Sequence, residues 1–217
     1  MTRSPSQRLL PLALLVFAGG PGARAALVPY DLEQLSVRST HIVCGKVTKV
    51  ESYWGMMGQL GPVILTDVTL RVEERWKGDP RATEITVQFL GGKIGDRWQW
   101  CAESPRFEIG EEVLLFARPW NGRLWTSGWI QGKFRIERRS VPGSRPEDPP
   151  RTEASVRGRK GLPVAKRERL ADVRSRVRGY IELAQKKTRR AARRPSPSGG
   201  AGSRSAATTQ EDAGTNK

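Results

Sequence analysis

The chain has 217 residues, with 38 Lys and Arg, 22 Asp and Glu, and a formal net charge of +16, a length that suits one domain with appendages. The charge is uneven, because residues 26–140 hold 16 Lys and Arg against 14 Asp and Glu, whereas residues 141–217 hold 19 against 8. The excess of basic residues therefore lies mainly in the C-terminal region, and it does not predict a polyanion-binding face on the central region. A single His and two Cys without C-x-x-C spacing argue against a metal site.

Residues 1–25 have the pattern of a secretory signal peptide. Arg3 and Arg8 supply positive charge, residues 9–18 form an apolar run, and residues 23–25 (Ala-Arg-Ala) fit a cleavage site. The run is too short for a transmembrane helix, which needs roughly 20 residues. We therefore expect an exported protein, periplasmic or extracellular, that does not span a membrane after cleavage. An uncleaved membrane anchor is the alternative.

The central region, residues 26–140, has the alternation of apolar and polar residues that is typical of strands. Residues 63–92 predict a long β-hairpin, because Val68, Leu70 and Val72 alternate with polar residues before a turn that contains Gly and Pro. This hairpin is the strongest structural signal in the chain, and it indicates a mainly β domain.

Further patterns indicate how the strands are arranged. A first strand is predicted at residues 41–53, with a bend of the kind that a small closed barrel requires. Residues 112–117 form a near-continuous apolar run, which predicts a strand buried on both faces. Asn121 and Gly122 predict a tight hairpin turn, and a short helix capped by Asp31 is expected before the first strand.

The composition changes after residue 140. Residues 141–161 predict a Pro-rich linker, and residues 162–190 predict a basic amphipathic helix with one narrow apolar stripe. Residues 191–217 lack aromatic and large aliphatic side chains, so we expect a disordered tail.

The two cysteines, Cys44 and Cys101, favour a disulfide, because export places them in an oxidising compartment. Closing so long a loop would stabilise the fold by about 4 kcal/mol on the chain-entropy estimate. Two buried free thiols are the alternative.

Two groups of side chains are candidates for binding. Most of the seven Trp are expected to fill and cap the barrel, whereas aromatic side chains near loops can stack on bases or sugars. The candidates for such a surface are Trp98, Trp100 and Trp120. Basic residues of the C-terminal region could contact an anionic surface or polymer, although a solvated helix face is the alternative. These candidates are Lys186, Lys187, Arg189, Arg190, Arg193 and Arg194.

The sequence does not assemble a catalytic set. His41, the only His, lies at the head of a strand, and no G-x-S-x-G motif is present. The adjacent acids Glu73 and Glu74, and likewise Glu111 and Glu112, are each expected to point to opposite faces of a strand. We therefore expect neither an enzyme nor a cofactor.

Several segments of residues 42–136 resemble a group of exported bacterial proteins without assigned function. They are IVCGKVTKVES, LTDVTLRVEERWKGD, ITVQFLGG, PRFEIGEEVLLFAR and GKFRI. Their middle segments are similar to the OB-fold of netrin and of the tissue inhibitors of metalloproteinases, in which a strand that ends in Lys-Gly is followed by a strand of the form G-x-x-Y/V-L-L/V-F. The matching residues are Lys77-Gly78 and residues 110–116.

The resemblance implies a small closed OB-like β-barrel with a short N-terminal helix, a C-terminal basic helix and a disordered tail. It does not carry over metalloproteinase inhibition, which depends on a Cys at the mature N-terminus, because the expected mature chain begins at Ala26. We expect a non-enzymatic binding or interaction module for an unknown protein or envelope polymer. A tether to an anionic surface through the basic C-terminal region and a protease inhibitor by fold analogy are the alternatives.

Overall fold

A computed structural model describes residues 28–142, 151–157, 163–164 and 166–192. The predicted signal peptide at residues 1–25, and the part of the predicted tail from residue 193 onward, lie outside the described residues. In the described part of the chain, neither helix is long and apolar enough to cross a membrane. In chain order the elements are α1 (Leu32–Arg38), β1 (His41–Met56), β2 (Pro62–Lys77), β3 (Glu84–Leu90), β4 (Gly92–Ile94), β5 (Arg97–Gln99), β6 (Glu112–Trp120), β7 (Arg123–Thr126), β8 (Lys133–Val141), β9 (Arg151–Val156), β10 (Glu168–Arg169) and α2 (Leu170–Ala192).

Five strands close into a ring. β1 pairs with both β2 and β6, β2 pairs with β3, and β7 joins β3 to β6. Every pairing in the ring is antiparallel except that of β3 with β7, where Val87 faces Leu124 and Gln88 faces Trp125. The mainly β class and the hairpin of β2 and β3 are thus confirmed. The two-residue turn is also confirmed, since Asn121 and Gly122 both have positive φ between β6 and β7.

Alternate side chains of β6 enter two different cores, as the apolar run at residues 112–117 predicts. Val113 and Leu115 are fully buried inside the ring, against residues such as Val68 of β2. Leu114 and Phe116 are equally buried, but they belong to a second core on the outer side of the ring. A strand with both faces covered needs this continuous apolar sequence, because neither face meets water.

The second core is closed by the C-terminal region. Val173 and Val177 of α2 are fully buried there, together with Phe134 of β8, whose ring meets that of Phe116 edge-on at 5.9 Å. The amphipathic stripe predicted at residues 162–190 therefore packs on the ring, and the helix runs from Leu170.

Residues 151–156, which fall in the predicted linker, form β9. This strand pairs with β8 over its whole length, from Val141 facing Arg151 to Ile136 facing Val156. Val156 is fully buried in the second core. The linker prediction rested on the prolines at residues 142–150, and the burial of Val156 explains why a strand follows them.

The Lys-Gly motif at the end of β2 has a structural role. Nζ of Lys77 donates to the backbone oxygens of Ser36 at 3.0 Å and Val37 at 3.2 Å, so its charge lies at the C-terminal end of α1. Gly78 has φ 120°, and a Cβ atom at this position would lie 2.9 Å from Cδ2 of His41. At the other end of α1, Asp31 caps the first turn. The motif thus joins β2 to the helix that helps close the second core.

The disulfide prediction is wrong, because both Cys44 and Cys101 are free. Cys44 faces Glu74 of β2, whereas the backbone of Cys101 lies beside Gly91, which bonds to Ile64 near the start of β2. Ile64 and Glu74 are separated by about 33 Å of extended strand. A disulfide requires Cα atoms within about 7 Å. Cys44 is instead a buried residue of the second core.

Candidate functional site

A polar network beside an aromatic wall lies on the outer face of β1, β2, β3, β7 and the end of β6. We call it the outer-face site and define it by Tyr53, Asp67, Gln88, Trp120 and Trp125. Asp67 faces Gln88 across β2 and β3, and Gln88 faces Trp125 across β3 and β7. Paired residues point to the same side of a sheet. The alternation that sends Val68 and Val87 into the ring therefore turns Asp67 and Gln88 outward.

The network is a closed set of three hydrogen bonds. The hydroxyl of Tyr53 donates to Oδ1 of Asp67 at 3.2 Å, and Nε2 of Gln88 donates to the Tyr53 hydroxyl at 2.5 Å and to the same Asp67 oxygen at 3.0 Å. Gln88 is 7% exposed, so these bonds fix its side chain in one orientation. Burial and the neighbouring Asp67 carboxylate raise the pKa of Tyr53, so its phenol stays protonated as a donor.

The network leaves acceptor oxygens for a ligand. Both N–H groups of Gln88 are used within it, which leaves the amide oxygen, and among the described residues the hydrogen bonds of the Asp67 carboxylate involve only Oδ1. Arg123, whose charge acts on Tyr53, adds a donor at the edge of the site. Two fixed acceptors and a nearby cationic donor suit a ligand with neighbouring hydroxyl groups.

Three tryptophans form the wall of the site. Trp125 is 7% exposed and meets Trp120 edge-on at 4.7 Å and Trp129 at 6.2 Å. Its indole nitrogen is buried without a hydrogen-bond partner among the described residues. Trp120 is 45% exposed, so one aromatic surface stays in contact with water. The buried ring of Trp125 therefore supports an exposed ring that a flat apolar ligand surface can contact.

The three predicted surface tryptophans are all exposed, but they fall into two groups. Trp120 belongs to the outer-face site, next to the β6–β7 turn. Trp98 lies on the hairpin of β4 and β5, and Trp100 follows that hairpin directly. The side chain of Arg106 lies over the ring of Trp100 at 3.8 Å. The predicted single surface is thus divided between two places.

The basic residues predicted to contact polyanions lie at the end of α2. Lys186, Lys187, Arg189 and Arg190 are exposed in its last turns. Arg193 and Arg194 lie outside the described residues. Because Val173 and Val177 anchor the helix in the second core, the four exposed cations are held on the same domain as the ring.

Glu111 and Glu112, which lie just before β6 and at its first residue, have different ion-pair partners. The side chain of Glu111 is 4% exposed and accepts from Nζ of Lys133 at 2.5 Å and from Nε of Arg135 at 2.8 Å. Glu112 instead pairs with Arg138 at 2.6 Å. Burial on its own would raise the pKa of Glu111, but the hydrogen bonds from Lys133 and Arg135 outweigh it and lower the pKa. These carboxylates therefore act as ion-pair partners.

His41 packs at the junction of β1 and the Lys-Gly turn. Its Nδ1 lies 2.9 Å from the hydroxyl of Thr40, and burial, followed by the charge of Arg75, lowers its pKa. Over residues 28–142, 151–157, 163–164 and 166–192, no group of three or more His, Cys, Asp or Glu is placed to hold a metal ion.

Sequence reasoning identifies Trp120 but misses the polar part of the outer-face site. Tyr53, Asp67 and Gln88 come from three strands, and each looks like an ordinary polar or aromatic position in its own segment. Only the register of β1, β2 and β3 brings them together. Comparison with models of known protein families gives no match, and a search of curated protein sequences finds no match either.

Proposed function

We propose that this chain is an exported, OB-like binding module that holds an envelope polymer rich in hydroxyl groups, a glycan, at the outer-face site. The observation that carries the proposal is the pairing of the Tyr53–Asp67–Gln88 network with the half-exposed ring of Trp120. A sugar ring has an apolar face that packs on an indole and hydroxyl groups that donate to fixed carboxylate and amide oxygens. The network is formed within the protein itself, so a ligand meets acceptors that are already oriented.

The closed ring of five strands supports the OB-like part of the proposal. The OB-fold is a small five-stranded barrel that binds oligosaccharides and oligonucleotides on its second and third strands. The outer-face site takes Asp67 from the second strand of the ring and Gln88 from the third. Fold likeness alone does not assign a ligand, so the side chains of the site support the choice of a glycan.

Glycan binding is tested with four proteins that begin at Ala26, a start that retains every described residue. Soluble oligosaccharides released from bacterial envelopes are titrated by calorimetry into the unsubstituted chain, Trp120→Ala and Asp67→Asn. We expect both variants to lose affinity by about tenfold or more, because each removes one half of the recognition surface. Trp98→Ala is the matched control, since it removes another exposed Trp outside the site. Oligosaccharides that bind Trp120→Ala as tightly as the unsubstituted chain, or no oligosaccharide binding at all, would refute the proposal.

A second candidate function is a tether to an anionic polymer through the end of α2. Its support is the docking of α2, which holds Lys186, Lys187, Arg189 and Arg190 exposed beside the ring. Binding to an anionic polymer such as heparin should then weaken steeply with salt. Replacing the four residues by Gln should abolish it, and a replaced chain that binds equally well would exclude this function.

A further inference from the structure

One end of the molecule presents large apolar side chains to water. Met56, the last residue of β1, is 72% exposed, Leu60 in the loop between β1 and β2 is 67% exposed, and Trp54 near the end of β1 is 49% exposed. Trp98 and Trp100 are 72% and 52% exposed. We call these five residues the apolar end. Such exposure is several times that of a core side chain, and clustered exposed apolar residues mark an interaction surface.

The two segments of the apolar end are joined through Ile64. Oε1 of Gln99 accepts from the backbone N–H of Ile64 at 2.6 Å, and the backbone oxygen of Ile64 accepts from Gly91 at 2.7 Å. Trp54 faces Ile64 across β1 and β2. Gln99 points toward the ring, so its neighbours Trp98 and Trp100 point away from it. The loop and the β4–β5 hairpin therefore project from one region of the surface.

The charges of this region are arranged around the tryptophans. Residues 54–66 contain no charged side chain at all. In the hairpin, Lys93 faces Trp98, and the guanidinium of Arg106 lies over Trp100 at 3.8 Å. Trp98 and Trp100 thus each have a cation beside them, and the turn of the hairpin adds one exposed acid, Asp96, and one exposed cation, Arg97.

We propose that the apolar end inserts into the interface of an anionic lipid bilayer. Trp is enriched at the depth of the lipid headgroups, where its ring is half in apolar surroundings and its N–H stays near water. Lys and Arg beside it reach the anionic headgroups while their stems stay on the apolar surface. The uncharged segment at residues 54–66, which carries Met56 and Leu60, enters the acyl boundary without burying a charge. A protein partner would not need a cation beside both Trp98 and Trp100, so the charge pattern favours the bilayer.

The inference concerns other residues than the outer-face site and goes beyond glycan binding. Vesicles of phosphatidylglycerol and phosphatidylcholine, and vesicles of phosphatidylcholine alone, are sedimented with the chain that begins at Ala26. We expect the chain to bind the anionic vesicles more tightly, and Leu60→Ser/Trp98→Ala to lower that partition coefficient by about tenfold or more. Lys93→Gln/Arg106→Gln should weaken binding to the anionic vesicles alone.

Ile109→Ser is the matched control, because Ile109 is 70% exposed but precedes Gly110, which bonds to Val47 in the middle of β1. All substituted side chains are exposed, so unchanged circular dichroism is expected and is checked for each variant. Trp120→Ala should bind vesicles as the unsubstituted chain does, which separates this inference from the glycan site. The inference is overturned by an unsubstituted chain that does not sediment, or by an equal loss in Ile109→Ser. It is also overturned if only the replacement of the four exposed α2 cations by Gln abolishes binding.

Discussion

Replacing Val177 by Ala tests whether α2 is part of the folded domain or an appendage. Val177 is fully buried in the second core, against residues of the ring. The substitution removes two buried carbon atoms at about 0.8 kcal/mol each, and the cavity left behind adds to the loss. We therefore expect the free energy of unfolding to fall by about 2 kcal/mol.

Urea unfolding monitored by tryptophan fluorescence measures this change outside the helix itself, because all seven Trp lie between residues 54 and 129 and none lies on α2. Leu183→Ala is the matched control on the same helix, since Leu183 is 54% exposed, and it should alter stability by less than about 0.5 kcal/mol. A Val177→Ala variant whose ring unfolds within that margin of the unsubstituted chain would show that α2 does not pack on the ring. The second core would then not include α2.

Three further predictions concern stability and thiol reactivity. Glu111→Gln should lower the free energy of unfolding at neutral pH by about 2 kcal/mol, because it weakens a buried ion pair with Lys133. Because the pKa of Glu111 is lowered in the folded protein, the ion pair contributes its full stabilisation above the usual pKa of a Glu side chain, and acid removes that stabilisation. The stability deficit of Glu111→Gln should therefore disappear as the pH falls below about 4 in urea titrations. Gly78→Ala should cost about 1–3 kcal/mol in the same assay, since φ is 120° and the added Cβ meets a neighbouring ring at 2.9 Å. Unreduced protein should show two free thiols to Ellman's reagent after denaturation, whereas in the native state Cys44 should not react, because burial raises its pKa and excludes the reagent, and Cys101 should.

Each of these three predictions has an outcome that would contradict it. A stability difference for Glu111→Gln that is the same at pH 3 and pH 7 would remove the role assigned to the ion pair. Wild-type stability of Gly78→Ala would mean that the Lys-Gly turn is not held against His41. Denatured, unreduced protein without free thiols would restore the disulfide between Cys44 and Cys101.

The strands could be predicted from the sequence because each ring strand has one apolar face. Val68 and Leu70 alternate with polar residues, and this pattern needs no knowledge of the partner strand. Even the double burial of β6 is visible in its continuous apolar run. What covers its second face is not visible, because the stripe on α2 and the outer residues Leu114 and Phe116 are far apart in sequence.

The candidate site was predictable only in part, for a related reason. An exposed Trp120 beside a turn can be expected from local sequence, since the Asn-Gly pair places it next to solvent. The contacts among Tyr53, Asp67 and Gln88 depend on the register of three strands, and bulges in the pairing of β1 with β2 shift that register by single residues. The disulfide prediction was wrong for the same reason. The oxidising compartment and the number of Cys residues favour a disulfide, but the distance along β2 that separates Cys44 from Cys101 is not visible in the sequence.

Because β6 contributes side chains to two cores, it limits the sequence changes that the fold tolerates. A slip of one residue in its pairing would exchange Val113 and Leu115 with Leu114 and Phe116, and so misfill two cores at once. Insertions within residues 112–117 should therefore be tolerated far less than insertions in the β1–β2 loop, where residues 58–60 include no buried side chain. Sequence variation that alters binding has room to accumulate in that loop and in the β4–β5 hairpin, while the strand behind them stays constant in length.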